Sequence, residues 1–128
     1  MKHMLVPGQP GMGLFTRLSE QLGKPVVIDL QSYFKEYHLF DNLETVKDQD
    51  LLFCVNEASK LDRFRDLLKC CLSKGRAVCV DRAHTFEYTG HITLYINCPI
   101  EDVDPGLRDR FSIVMPDDVP KFLTLLNE

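Results

Sequence analysis

The sequence LLFCV, residues 51–55, followed directly by Asn56 and Glu57, decides the fold class. Five consecutive apolar residues, rather than an alternating pattern, are typical of a strand whose two sheet faces are both covered. Residues 60–73 then carry apolar side chains at helical spacing, with Ser59 as a predicted cap and Gly75 predicted to end the helix. A buried strand followed by a helix is the repeating unit of a parallel sheet.

The same alternation extends to both sides of this strand. The segments predicted as further strands are residues 3–6, 25–29, 77–80, 91–97 and 111–115. The segments predicted as further helices are residues 14–22, 30–40 and 119–126. Polar residues 41–49 predict a connection, and the alternating residues 81–90 predict a hairpin tip. We therefore expect an α/β fold with a mostly parallel central sheet and a β-hairpin insertion.

Composition limits the protein class. The chain has 128 residues, of which 45% are hydrophobic and 27% charged, and we expect one domain over residues 1–128. The net charge of -4 means that a nucleic-acid surface would have to be local. No apolar run has the length of a membrane helix or a secretory signal, so we expect a soluble intracellular protein with no membrane partner. Five cysteines without C-x-x-C spacing predict reduced thiols and no metal site.

A glycine-rich loop lies between the first strand and the first helix. Its sequence is GQPGMG, from Gly8 through Gly11 to Gly13, and backbone N–H groups in such a loop can hold a phosphate. A complete phosphate loop continues with Lys and Ser or Thr, whereas Leu14 and Phe15 follow here. The loop therefore predicts either an incomplete phosphate site or a tight turn.

Polar residues also follow two of the predicted strands. Asn56 and Glu57 stand where nucleotide hydrolases carry one residue for Mg²⁺ and one that polarises water. Asn97 ends the strand at 91–97, at the edge where ligands bind in open sheets. The alternatives are a polar helix entry at 56–59 and a turn residue before Cys98. In LRDRF, residues 107–111, Arg108 and Arg110 present guanidinium groups either to a neighbour's phosphate or to nearby surface carboxylates.

Taken in order, these features resemble the superfamily 3 viral helicase domain, the family of the papillomavirus helicase, polyomavirus large T antigen and parvovirus replication proteins. The matching segments are the glycine loop, NEAS at 56–59, GRAVCVDRAH at 75–84, the strand ending at Asn97 and LRDRF at 107–111. The resemblance runs from about residue 5 to residue 115. It implies a P-loop NTPase fold of the AAA+ type, a three-layer sandwich whose subunits form a ring, bind ATP between them and move DNA.

The resemblance also implies roles for single residues. The nucleotide-binding residues would be Gly8, Gly11, Gly13, Asn56 and Asn97. Glu57 would activate water, and Arg110 would act as an arginine finger on an adjacent subunit, so these two are the implied catalytic residues. Arg82 and His84 would contact DNA at a hairpin tip, although Ala83 stands where the family often has Lys. The implied cofactors are ATP and Mg²⁺ if the domain is active, and none otherwise.

The departures from the family pattern bear most on function. The phosphate-loop Lys and Ser/Thr and the first acidic residue are all missing, and each such loss commonly lowers the rate about 100-fold or more. We expect a viral DNA-replication domain with weak or no ATPase activity, which leaves its status as an enzyme undecided. It would act on DNA or on viral or host replication proteins, as a homo-oligomer, in the host nucleus or otherwise the cytoplasm.

Two alternatives belong to other functional classes. The first is a protein-interaction module that binds neither nucleotide nor DNA, with the aromatic residues Tyr33, Phe34, Tyr37 and Phe40 as its contact surface. The second is a small enzyme that uses the glycine loop for another phosphorylated ligand, with Glu57 or His84 as its acid or base.

Overall fold

A computed structural model describes residues 3–8 and 13–126, and a five-stranded parallel sheet forms its centre. The strands in chain order are β1 (Met4–Pro7), β2 (Val26–Asp29), β3 (Leu51–Val55), β4 (Arg76–Ala77), β5 (Phe86–Glu87), β6 (Ile92–Ile96) and β7 (Ser112–Ile113). The sheet order is β2-β3-β6-β1-β7, and every neighbouring pair is parallel. β3 therefore lies inside the sheet, as its continuous apolar sequence predicts.

Helices cover the two faces of the sheet. They are α1 (Leu14–Gln21), α2 (Glu36–Thr45), α3 (Ala58–Asp62), α4 (Arg65–Lys74), α5 (Pro105–Arg108) and α6 (Val119–Leu126). Apolar side chains of α2 to α5 pack with alternate strand residues on one face, where Phe40, Phe53 and Phe64 are completely buried. The α/β three-layer arrangement with a mostly parallel sheet is thus confirmed. β4 and β5 form a separate antiparallel hairpin, which confirms the predicted insertion.

The second face is only partly covered. Leu14 and Leu18 of α1 and Val119 of α6 pack over β1 and β6, together with Val6 and Tyr95. Farther along the same face, on β2, Val27 remains 46% exposed. α1 is only eight residues long and does not extend over this part of the sheet. The open region is therefore the face of β2 and the carboxyl end of β3 at Cys54, since Leu52 of β3 is completely buried on this face.

Two helix predictions were wrong in their bounds. Residues 30–40 do not form one helix, because the Asp29 side chain accepts a hydrogen bond from the Gln31 N–H and closes a short 3-10 turn at Leu30–Ser32. α2 spans Glu36–Thr45, so residues 41–45, the first half of the predicted polar connection, are helical. The predicted helix at 60–73 is divided at Phe64, whose backbone leaves the helical conformation while its ring enters the core.

The remaining sequence-level expectations have mixed outcomes. Ser59 does not cap a helix, because the N-cap of α3 is Glu57. Gly75 does end α4, in the left-handed conformation that favours glycine. The strand at 77–80 is reduced to β4 and lies outside the main sheet.

All five cysteines are free. None of the helices in the described ranges is both long and apolar enough to cross a membrane.

Candidate functional site

Three carboxamide side chains meet at the carboxyl edge of the sheet, where β2, β3 and β6 end. The Asn56 backbone N–H donates to Gln31 Oε1 at 2.8 Å, and Asn97 Nδ2 donates to Asn56 Oδ1 at 3.2 Å. The structure therefore brings Asn56 and Asn97 together, because β3 and β6 are neighbouring parallel strands that end at the same edge. Sequence reasoning missed Gln31, although its position just after β2 was the available signal. We call these three residues the amide cluster.

One atom of the amide cluster lacks a partner. Asn97 Oδ1 is buried and accepts no hydrogen bond from any described residue. The Asn97 backbone is held in place, since its N–H donates to the Val55 carbonyl oxygen at 3.0 Å. A buried acceptor left without a donor costs free energy, and such atoms are therefore rare in native structures.

Glu57 stands beside the amide cluster without joining it. Its side chain is exposed, and no described residue hydrogen-bonds or ion-pairs with its carboxylate. Its backbone carbonyl oxygen accepts from the Lys60 N–H at the start of α3. The carboxylate is thus chemically available, but no described group orients it toward a reacting atom.

The two described glycines of the loop have structural reasons for their identity. The Gly8 N–H donates to the Ile96 carbonyl oxygen at 2.8 Å, and a Cβ at Gly8 would lie 2.4 Å from the Tyr95 ring. Gly13 adopts a left-handed conformation (φ 64°) at the start of α1. Gly11 lies outside the described residues.

A groove on the open sheet face begins at the amide cluster. Its volume is about 340 Å³, and its walls are Phe15, Val27, Cys54 and Tyr95. The only charged side chain among the lining residues is Asp29. Burial, with a smaller contribution from Asp29, raises the pKa of the Cys54 thiol to about 12, so it is not a thiolate nucleophile at neutral pH.

The groove and the amide cluster do not fit a Mg²⁺–triphosphate. Such a ligand requires cationic side chains for the phosphates and anionic oxygens for the metal. The lining residues include no Lys or Arg, and Asn56 Oδ1 is already paired with Asn97. The described ranges also contain no group of three His, Cys, Asp or Glu side chains that could hold a metal ion.

Both residues assigned to DNA are bound within the chain. Arg82 makes two hydrogen bonds to the Asp41 carboxylate, at 2.8 and 2.5 Å, and its guanidinium lies 4.8 Å from the centre of the Tyr37 ring. His84 Nε2 lies 2.9 Å from Glu44 Oε1. Asp41 and Glu44 belong to α2, so the loop between β4 and β5 is fastened to that helix rather than projecting freely.

Arg110 lies at the opposite edge of the sheet from the amide cluster. It lies two residues before β7, whereas Asn56, Glu57 and Asn97 follow the carboxyl ends of β3 and β6. Arg110 Nε donates to Ser73 Oγ, and Nη1 donates to the Gly106 carbonyl oxygen at 2.5 Å. The structure therefore does not bring the two implied catalytic residues, Glu57 and Arg110, together within one chain.

Comparison with solved structures identifies the fold. Two structures of RuvB variants from Thermotoga maritima are similar to this chain, with TM-scores of 0.66 and 0.65 and 16% sequence identity in both cases. They cover 90% of this chain, which spans little more than a third of their length, 38% and 37%. No family model matches the sequence, and no curated protein matches it. The fold is that of AAA+ P-loop NTPases, while membership of the viral superfamily 3 helicases is not shown.

Proposed function

We propose that this chain is a helicase-like AAA+ domain of a viral DNA-replication protein that hydrolyses ATP weakly or not at all. It acts by binding DNA or other replication proteins. The observation that carries the loss of hydrolysis is the amide cluster, in which neutral groups bond to one another where a hydrolase needs a metal carboxylate. The missing phosphate-loop Lys and Ser/Thr act in the same direction.

DNA binding in this proposal depends on the loop between β4 and β5. Arg82 is half-buried and His84 is exposed, and each is paired with a carboxylate of α2. A DNA phosphate would therefore compete with Asp41 and Glu44 for the same donors. Arg110 would act on an adjacent subunit in a homo-oligomer, and the protein would work in the host nucleus or otherwise in the cytoplasm.

The test combines hydrolysis with DNA binding on the full chain. We expect no Mg²⁺-dependent phosphate release above background, and binding to single- or double-stranded DNA that weakens as salt rises. The double variant Arg82→Ala/His84→Ala should lose most of that affinity. Lys121→Ala is the matched control, because Lys121 is an exposed cation on α6, on the other face of the sheet. Robust ATP turnover, or equal loss of affinity in the control, would contradict the proposal.

The protein-interaction module is the second candidate function. It is favoured by the pairing of Arg82 with Asp41 and of His84 with Glu44, which leaves neither side chain free for DNA. The aromatic surface assigned to it is smaller than the sequence predicts, because Phe40 is fully buried and Tyr33 and Tyr37 are half-buried. Only Phe34 is well exposed, at 73%. Absence of DNA binding at low salt, together with absence of nucleotide binding, would select this candidate.

A further inference from the structure

An apolar groove runs along the free edge of β7. Its apolar walls are Ile113 and Met115 on one side and Phe122 and Leu125 of α6 on the other, and its volume is about 220 Å³. Ile113, Met115 and Leu125 are each more than half exposed. Three of the few large apolar side chains that are exposed in the described ranges therefore meet at this groove. Apolar side chains gathered in this way mark surfaces that bind another protein.

The backbone of this edge has hydrogen-bonding groups without a partner strand. The Ser112 N–H donates to the His3 carbonyl oxygen at 2.9 Å. The Val114 N–H donates to the Leu5 carbonyl oxygen, also at 2.9 Å. Because successive residues of a strand direct their backbone groups to opposite sides, the N–H and carbonyl of Ile113 face away from β1. No described strand lies on that side. One residue thus offers both a donor and an acceptor, so this edge can pair with an identical edge.

β7 lacks the charges and prolines that protect edge strands. The extended chain continues beyond the strand to Met115 (φ -67°, ψ 150°), and the sequence SIVM at 112–115 has no charged residue and no proline. β2 at the opposite edge differs, because Pro25 precedes it and the exposed Asp29 ends it. Charges and prolines are means by which natural sheets block edge-to-edge contact. β7 is therefore the edge that is open to a further strand.

The groove carries one charge of each sign. Lys121 and Asp118 both line it, and neither side chain forms an ion pair with a described residue. A uniformly acidic or uniformly basic partner would place like charges against one of the two. A second copy of the same groove brings an ammonium and a carboxylate of its own. The charge pattern therefore favours a second copy of this chain as the occupant.

We propose that two copies of this chain pair through β7 as antiparallel neighbours, around a two-fold axis at Ile113. The Ile113 N–H of each copy donates to the carbonyl oxygen of the partner's Ile113, as in the hydrogen-bonded pair of an antiparallel ladder. The same surface is used by both copies, so the two five-stranded sheets become one continuous sheet and association ends at the dimer. The inference goes beyond the proposed function, because it requires neither nucleotide nor DNA.

Sedimentation velocity of the full chain, from micromolar to millimolar concentration, tests the proposal. We expect a reversible equilibrium between monomer and dimer. Ile113→Lys places like charges directly opposite each other at the axis and should raise the dissociation constant by about tenfold or more. Val27→Lys is the matched control, because Val27 lies in the opposite edge strand and is similarly exposed (46% against 51%). It should dimerise as the wild type does, and both variants should keep the wild-type circular dichroism spectrum.

A mixture of two variants tests the two-fold axis itself. Ile113→Lys and Ile113→Glu should each be mainly monomeric on their own. An equal mixture should form a heterodimer, because position 113 faces itself across the axis and opposite charges then meet. In amide hydrogen exchange of the wild type, the Ile113 N–H should become more protected as the protein concentration rises.

Each other outcome overturns the inference. Monomers at every concentration would show that no second copy pairs with β7. Oligomers larger than dimers, or dimers that persist in Ile113→Lys, would place the contact on another surface. Equal weakening by Val27→Lys and Ile113→Lys would indicate an effect of bulk charge, and a mixture that stays monomeric would contradict the two-fold pairing. None of these measurements reads ATP turnover or DNA affinity, so failure of the dimer is distinguishable from failure of the proposed function.

Discussion

At the scale of single residues, Gly8 is explained by packing against Tyr95. A methyl group at position 8 would overlap the Tyr95 ring, and that ring is buried beneath α1. Gly8→Ala should therefore lower the free energy of unfolding by about 2 kcal/mol, as overpacking does. Urea denaturation measures the change, and adding Tyr95→Leu should make the double variant less destabilised than the sum of the single changes.

The control for this prediction is Gly106→Ala. A Cβ at Gly106 would meet chiefly the end of the Lys69 side chain, which can shift at the cost of part of its ion pair with Asp104, so the free energy of unfolding should fall by less than about 1 kcal/mol. Equal destabilisation by both substitutions would mean that the Tyr95 contact is not the reason for glycine at position 8.

A second prediction at this scale concerns Asn56. Asn56→Asp keeps an oxygen that can accept from Asn97 Nδ2, so the variant should fold normally. It should not acquire Mg²⁺-dependent ATP hydrolysis, because a single carboxylate does not replace the missing phosphate-loop Lys and Ser/Thr. Phosphate release is the measurement, with Asn56→Ala for comparison. Turnover in Asn56→Asp would show that the loop already supports catalysis.

At the scale of elements, α2 controls the loop between β4 and β5. The Arg82 guanidinium, hydrogen-bonded to Asp41, lowers the pKa of that carboxyl below its usual range, so the pair is charged at neutral pH. If the loop binds DNA, Asp41→Asn should raise the affinity severalfold at low salt by releasing Arg82. Fluorescence anisotropy with a labelled oligonucleotide measures the DNA affinity of both proteins.

Asp117→Asn is the control for Asp41→Asn, because it changes the net charge by the same amount at an exposed turn before α6. An equal gain in both variants would indicate bulk charge rather than release of the loop. Unchanged affinity in Asp41→Asn would show that the ion pair does not compete with DNA.

Arg110 joins α4 to α5 through Ser73 and Gly106. Because hydrogen bonds from a half-buried guanidinium are lost, Arg110→Ala should lower the free energy of unfolding by about 2 kcal/mol. Arg65→Ala, on α4, should change the free energy of unfolding by less than about 0.5 kcal/mol, since both Arg65 ion pairs are long and Arg65 itself is exposed. Chemical denaturation of both variants decides whether Arg110 has this structural role.

At the scale of the whole molecule, stability should fall in acid. The Lys69 side chain, and next the Leu107 N–H, lower the pKa of the Asp104 carboxyl, which lies between α4 and α5. A carboxyl whose pKa is lower in the folded than in the unfolded state stabilises the fold above about pH 4, and this contribution disappears as pH falls through the folded-state pKa. Thermal unfolding of Asp104→Asn should therefore depend less on pH in this interval than that of the wild type. Parallel curves would contradict this role.

The sequence by itself determined the layers of this protein and the edge at which its polar residues gather. The continuous apolar run at β3 and the helical spacing around it are local periodic patterns, which can be recognised from the sequence alone. The same logic placed Asn56 and Asn97 at one edge, because parallel strands end together. Local periodicity did not predict the helix bounds at residues 30–45, since the Asp29 side chain accepts a hydrogen bond from the Gln31 N–H and this overrides helical spacing there.

Only the tertiary structure decided what those residues contact. The pairing of Arg82 and His84 with α2 joins residues about 40 positions apart, and nothing in local spacing specifies it. The open face of β2 likewise depends on how far α1 reaches across the sheet. Periodicity shows which side chains share a face of one element, whereas the partners of that face depend on the packing of the whole chain.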